Sequence, residues 1–130
     1  MKSGTFQKTF ITAALLLGTA LASANSATSN GLLGDADRGK ALYQACTSCH
    51  SVDENDIGPK HRGVFGRRAG SVAEYSYSAA LRASGLTWNE STLDRWLTNP
   101  SQLVPGTKMY FKIDDAQNRA DVIAYLEQLK

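Results

Sequence analysis

The sequence predicts an all-α fold of several short helices joined by long loops. Three observations carry that expectation. No stretch alternates apolar and polar residues as a half-buried strand would, and helix start and stop signals recur along the chain. The connecting stretches are long for a small domain, which makes sense if they wrap something other than polypeptide.

The N-terminus stands apart. MKSGTFQKTFITAALLLGTALASA carries Lys2 and Lys8, an apolar run from Phe10 to Leu21, then Ala22-Ser23-Ala24. A basic start, an apolar centre too short to span a bilayer and an A-x-A site predict a cleavable secretory signal over 1–24. Residues 25–34, rich in Ser, Asn and Gly, are expected to form a flexible leader, and 35–130 a single domain. Without Lys2 and Lys8 the remainder has twelve basic and twelve acidic residues. A neutral chain of this kind is not expected to bind nucleic acid, nor to stay inserted in a membrane once the signal is removed.

In the domain, Asp35 caps a short helix through Ala45, with Asp37 in its first turn. Ser51 to Gly70 holds Gly58, Pro59, Gly63, Gly66 and Gly70 without a sustained period and reads as loop. Ser78-Ala-Ala-Leu-Arg-Ala-Ser is a short helix stopped by Gly85. Asn89 caps the next helix, with Trp88 and Leu93 placed as a hydrophobic staple; Leu93, Trp96 and Leu97 share a face, and Pro100 ends it at Asn99. Ser101 to Ile113 is expected to be loop, with a turn at Pro105-Gly106. The last helix opens at Asp114 and Asp115 and carries Val122, Tyr125, Leu126 and Leu129 as its apolar stripe.

The two cysteines fall in one cluster, CTSCH, with His50 directly after Cys49. Three chemistries use such a cluster. A thiol–disulfide switch needs Cys-x-x-Cys at the end of a strand in an α/β pattern, and here a helix precedes it. Zinc could nominally draw on Cys46, Cys49, His50 and His61, but adjacent Cys49 and His50 converge poorly on a tetrahedral ion. The third is covalent haem attachment. Thiols three residues apart face one way on a helical turn and reach one porphyrin, and the following imidazole projects toward its iron. A domain of about a hundred residues gains from an apolar cofactor what its small core lacks.

At this point the chain resembles the class I cytochromes c, close to the cytochrome c2 and mitochondrial-type branch. The matching pieces are CTSCH, IGPKHRGVFGRRAG, YSYS, GLTW, LDRWLTNP, PGTKMYF and DVIAYLEQL, in family order. The resemblance implies the class I cytochrome c fold, its first and last helices crossing at Gly39 and Tyr125. It implies one haem c held through Cys46 and Cys49, with His50 and Met109 as the iron's axial ligands. Pro59 matches the residue whose carbonyl takes the other imidazole N–H; Arg67, Tyr77 and Trp88 match the donors around a haem propionate. The implied role is a monomeric, periplasmic, non-enzymatic carrier of single electrons between redox protein partners. The alternatives are an electron-entry subunit of one oxidoreductase complex and a haem protein with a labile distal ligand that binds small molecules.

The chain departs from that pattern in places. Only Gln44 and Ala45 separate Tyr43 from Cys46, so either Leu42 or Tyr43 could fill the core position of the first helix. His61 replaces an apolar residue near the haem and could be a buried neutral imidazole, an outward-facing one or a substitute distal ligand. Trp96 and Leu81 stand where relatives have a tyrosine and an asparagine, which implies a drier and less polar distal side. Ala45, Ser101 and Gln102 take positions of edge lysines, leaving Lys108, Lys60 and Lys112, so weak electrostatic steering is expected.

Overall fold

The computed structural model describes residues 31–130; the expected signal and the first six residues of the expected leader lie outside them. The described residues form helices and loops, and their only β-type pairing is an isolated antiparallel bridge between Arg68 and Thr87.

Each helix begins where a short polar side chain satisfies a free N–H group. Asp35 accepts from the backbone of Asp37 and Arg38, both at 3.0 Å, and opens α1 (Ala36–Leu42). The expected single helix then tightens into a 3-10 turn, Tyr43–Cys46, which delivers the chain to CTSCH. Ser78 caps α2 (Ala79–Ala83) through Leu81 N at 3.1 Å, and Gly85, at φ +68°, turns the chain out of it. Asn89 and Thr92 cap each other reciprocally at the start of α3 (Glu90–Thr98).

One expectation fails after α3. Pro100 does end that helix, but Ser101 is not the start of a featureless loop: Pro100–Leu103 forms a short helix, α4. Asn99 closes α3 and caps α4, accepting from Gln102 N at 3.2 Å, and a proline at the first helical position loses no hydrogen bond there. The last helix, α5 (Ala116–Gln128), is capped by Asp115.

The first and last helices cross in close contact, and the sequence permits it at two glycines. A Cβ on Gly39 would collide with the Asp121 carbonyl oxygen, and one on Gly34 with that of Ala120. The final two residues of the expected leader are thus already docked on α5, where Gln117 Nε2 also donates to Leu33 O at 2.8 Å. Asp121, 1% exposed, gathers the crossing. Its carboxylate accepts from Asp35 N at 2.8 Å, from Arg38 Nε at 2.9 Å and from Gln117 Nε2 at 2.9 Å. The guanidinium of Arg38 holds its carboxyl below the usual range despite burial.

Tyr43 rather than Leu42 fills the core position, at 2% exposure, and packs on Tyr125. Val122, Ile123 and Leu126 complete that part of the core with Leu93, Trp96 and Leu97 of α3. On the far side Arg119 is buried: it donates to Asp94 at 2.8 Å and to the carbonyls of Ile113 and Asp114, both at 2.9 Å. Ile113 N in turn donates to Leu97 O at 2.7 Å. The loop between α4 and α5 is therefore fastened to both α3 and α5.

Candidate functional site

The turn after α1 folds CTSCH back on itself: Cys49 N and His50 N both donate to Cys46 O, at 3.1 and 2.9 Å. Both thiols stay free and half-buried, and burial pushes the Cys46 thiol up to about 11. Among the described residues no three His, Cys, Asp or Glu side chains converge on a metal position, so the zinc arrangement does not assemble.

What assembles is a cavity of about 700 Å³. Cys46, Cys49, His50, Pro59, Arg67, Tyr77, Trp88 and Met109 all line it, together with His61, Leu81 and Trp96. Residues from the CTSCH turn, the long loop, α2, α3 and the loop after α4 thus meet around one apolar space, of a size suited to a ligand. Every site residue expected from the sequence lies there.

The His50 ring is fixed in this wall. Its Nδ1 lies 2.8 Å from the Pro59 carbonyl, which sets that nitrogen as the donor and leaves Nε2 unprotonated in the neutral ring. Gly58 lets the backbone approach the ring: a Cβ there would collide with the imidazole. Burial holds the His50 pKa below its ordinary value, so a neutral ligand-type imidazole is favoured.

Met109 arrives on the fastened loop, half-buried, and Trp96 Nε1 donates to its Sδ at 3.2 Å. Arg67 places two N–H groups on the carbonyls of Arg62 and Lys60, at 2.9 and 2.8 Å, while Arg68 is exposed and does not line the cavity. Tyr77 and Trp88 are each 7% exposed.

His61 does not face outward, and it cannot replace Met109 across the cavity. Its ring stacks on His50, centroids 4.0 Å apart and planes 22° apart, which puts it on the same side as that ligand candidate. Its Nδ1 lies 3.0 Å from the Tyr43 hydroxyl. Burial, then coulombic interaction with His50 and with the Arg67 guanidinium, lower its pKa to about 3, so it is neutral. The Tyr43 partner was not visible in the sequence, because eighteen residues separate the two and neither lies in a motif that pairs them.

The chemistry of this set fits an iron porphyrin: two thiols for covalent attachment, an imidazole nitrogen and a thioether sulfur for the iron, and N–H and O–H donors for the carboxylates. The comparisons agree. Residues 36–130 match the cytochrome c family. The chain is similar to a cytochrome c2 from Rhodomicrobium vannielii, 45% identical over 97 residues, covering 72% of this chain and 78% of that one. It is also similar to a cytochrome c from Cochliobolus lunatus, 44% identical over 100 residues, covering 73% and 93%. Among solved structures, cytochrome cH from Methylobacterium extorquens aligns at TM-score 0.70 with 43% identity, covering 72% of this chain and 98% of that one. The ferricytochrome c2 of Rhodopseudomonas palustris aligns at 0.69 with 37% identity, covering 74% and 99%. With the fold, the cavity and these relatives in accord, this chain belongs to the cytochrome c family, electron carriers that hold haem c covalently through a cysteine pair, here Cys46 and Cys49.

Proposed function

We propose that this protein is a soluble, monomeric, periplasmic shuttle of single electrons between redox protein partners, exported by the signal over 1–24 and bearing His50 and Met109 on its haem iron. The observation that carries the reading is the His50 ring. It is held at Nδ1 by the Pro59 carbonyl, and it lines a cavity that Cys46, Cys49 and Met109 also line.

Haem c, when bound, supplies the one-electron couple. The chain's own residues do the rest. Pro59 fixes the tautomer of His50. Met109 offers a soft sulfur that favours ferrous iron and raises the potential. Arg67, Tyr77 and Trp88 would bring donors to the propionates, and Leu81, Leu93 and Leu97 give the cavity part of its apolar wall. With His50 and Met109 both on the iron no position would remain for a substrate, which favours a carrier over an enzyme. No helix among the described residues is long and apolar enough to cross a membrane.

The test is the optical spectrum of the oxidised holoprotein, scanned into the far red with and without an added haem ligand. A sulfur–ferric charge-transfer band, abolished in Met109→Ala and unmoved by modest ligand, is the expected result. A haem spectrum lacking that band would overturn the Met109 assignment.

A further inference from the structure

A chain of aromatic rings runs from the last helix to the proposed iron ligand. Tyr125 of α5 meets Tyr43 with ring centroids 5.1 Å apart. Tyr43 meets His61 at 5.7 Å, and its hydroxyl is 3.0 Å from His61 Nδ1. His61 lies nearly flat against His50, at 4.0 Å. The backbone beneath His61 is fixed too: its N–H donates to Ser51 O at 3.0 Å, and its carbonyl accepts from Val64 N at 2.8 Å.

An imidazole turns about two single bonds, so one contact does not fix it. The hydrogen bond from Nδ1 to Pro59 O, 2.8 Å long, directs the ring edge but tolerates a swing of the ring plane about that line. A flat neighbour on the ring face removes that swing. The neighbour must itself be held, and the buried Tyr43 hydroxyl does this while gaining the partner it would otherwise lack.

We propose that His61 is a positioning residue for the His50 imidazole, pinned by Tyr43, and that the pair sets the angle of the ring plane over the haem. Groups behind a metal-bound histidine tune the metal through ring orientation. An aliphatic side chain at position 61 would fill the space but offer neither a flat face nor a hydrogen-bonding partner for the hydroxyl. The inference rests on His50 being the iron's nitrogen ligand, as proposed above.

The experiment uses ferric holoprotein and reads the haem-methyl proton resonances, whose order and spread follow the plane of the axial imidazole. His61→Leu is expected to change that pattern. Tyr43→Phe, which removes only the pin, is expected to move it the same way by less, and the double variant no further than His61→Leu alone. A wild-type pattern in His61→Leu overturns the positioning role, even if that variant is less stable. If His61→Leu does not fold, Tyr43→Phe decides: an unmoved pattern overturns the pin. The wild-type spectrum is read first. Without a low-spin, histidine-ligated haem the ligand assignment falls and the positioning role with it; with one, unmoved methyl resonances sink the positioning role alone.

Discussion

Trp96 aims its indole N–H at the sulfur of Met109 across 3.2 Å, and an indole can only donate. A donor on that sulfur draws density away from the lone pairs that would bind ferric iron, so it favours the reduced state. Trp96→Phe is therefore expected to lower the reduction potential by on the order of 40 mV, taking about 1 kcal/mol for the net hydrogen bond and ~59 mV per tenfold. Equilibrium redox titration checks this, and a rise would contradict it. Leu81 is buried beside the same space and offers no polar group. The site was legible in the sequence where its residues sit in short motifs, as CTSCH and PGTKM do. It was not legible at His61, whose place depends on a ring stack and a hydroxyl reached only through the folded chain.

The helices were legible where local chemistry sets their ends. Asp35, Ser78, Asn89 and Asp115 each cap from within four residues, and each capped helix starts within a residue of where the sequence put it. Pro100 misled because a proline that stops one helix is equally suited to begin another, and only Asn99 serving both tells the cases apart. Burial of Asp121 and Arg119 was not legible either, since their partners lie as far as 86 residues away. Two predictions belong to the crossing of α1 and α5. Gly39→Ala drives a methyl into the Asp121 carbonyl and is expected to cost about 3 kcal/mol, read by denaturant unfolding of the holoprotein. Asp121 titrates below its ordinary 3.8 in the folded state, chiefly through Arg38. Its contribution is then complete above that value and is lost as pH falls through it toward the folded pKa. Wild-type stability should decline with acid below about pH 4, and Asp121→Asn should be less stable at neutral pH with a shallower decline.

Across the whole molecule, two of the three lysines left at the edge positions have partners. Lys108 Nζ donates to Ser76 O at 2.9 Å, and Lys112 lies 3.7 Å from Asp114. Ile57, Tyr110 and Phe111 stand exposed on the same rim. With twelve basic and twelve acidic residues outside 1–24 and an apolar rim, electron transfer to a partner should depend weakly on ionic strength; stopped-flow rates that fall steeply with salt would refute this. A cavity of about 700 Å³ inside so small a domain also cannot be left empty at little cost. Cys46→Ala/Cys49→Ala protein lacking haem is expected to lose cooperative thermal unfolding, measured by circular dichroism. The docking of Gly34 and Gly39 on α5 also orders events in time. In the export proposed above, the cysteine turn crosses the membrane roughly seventy residues ahead of the helix that must close against α1, so an emerging chain displays its thiols while still open. Cofactor loading can thus precede closure, and the tail of the chain becomes the latch that shuts behind it.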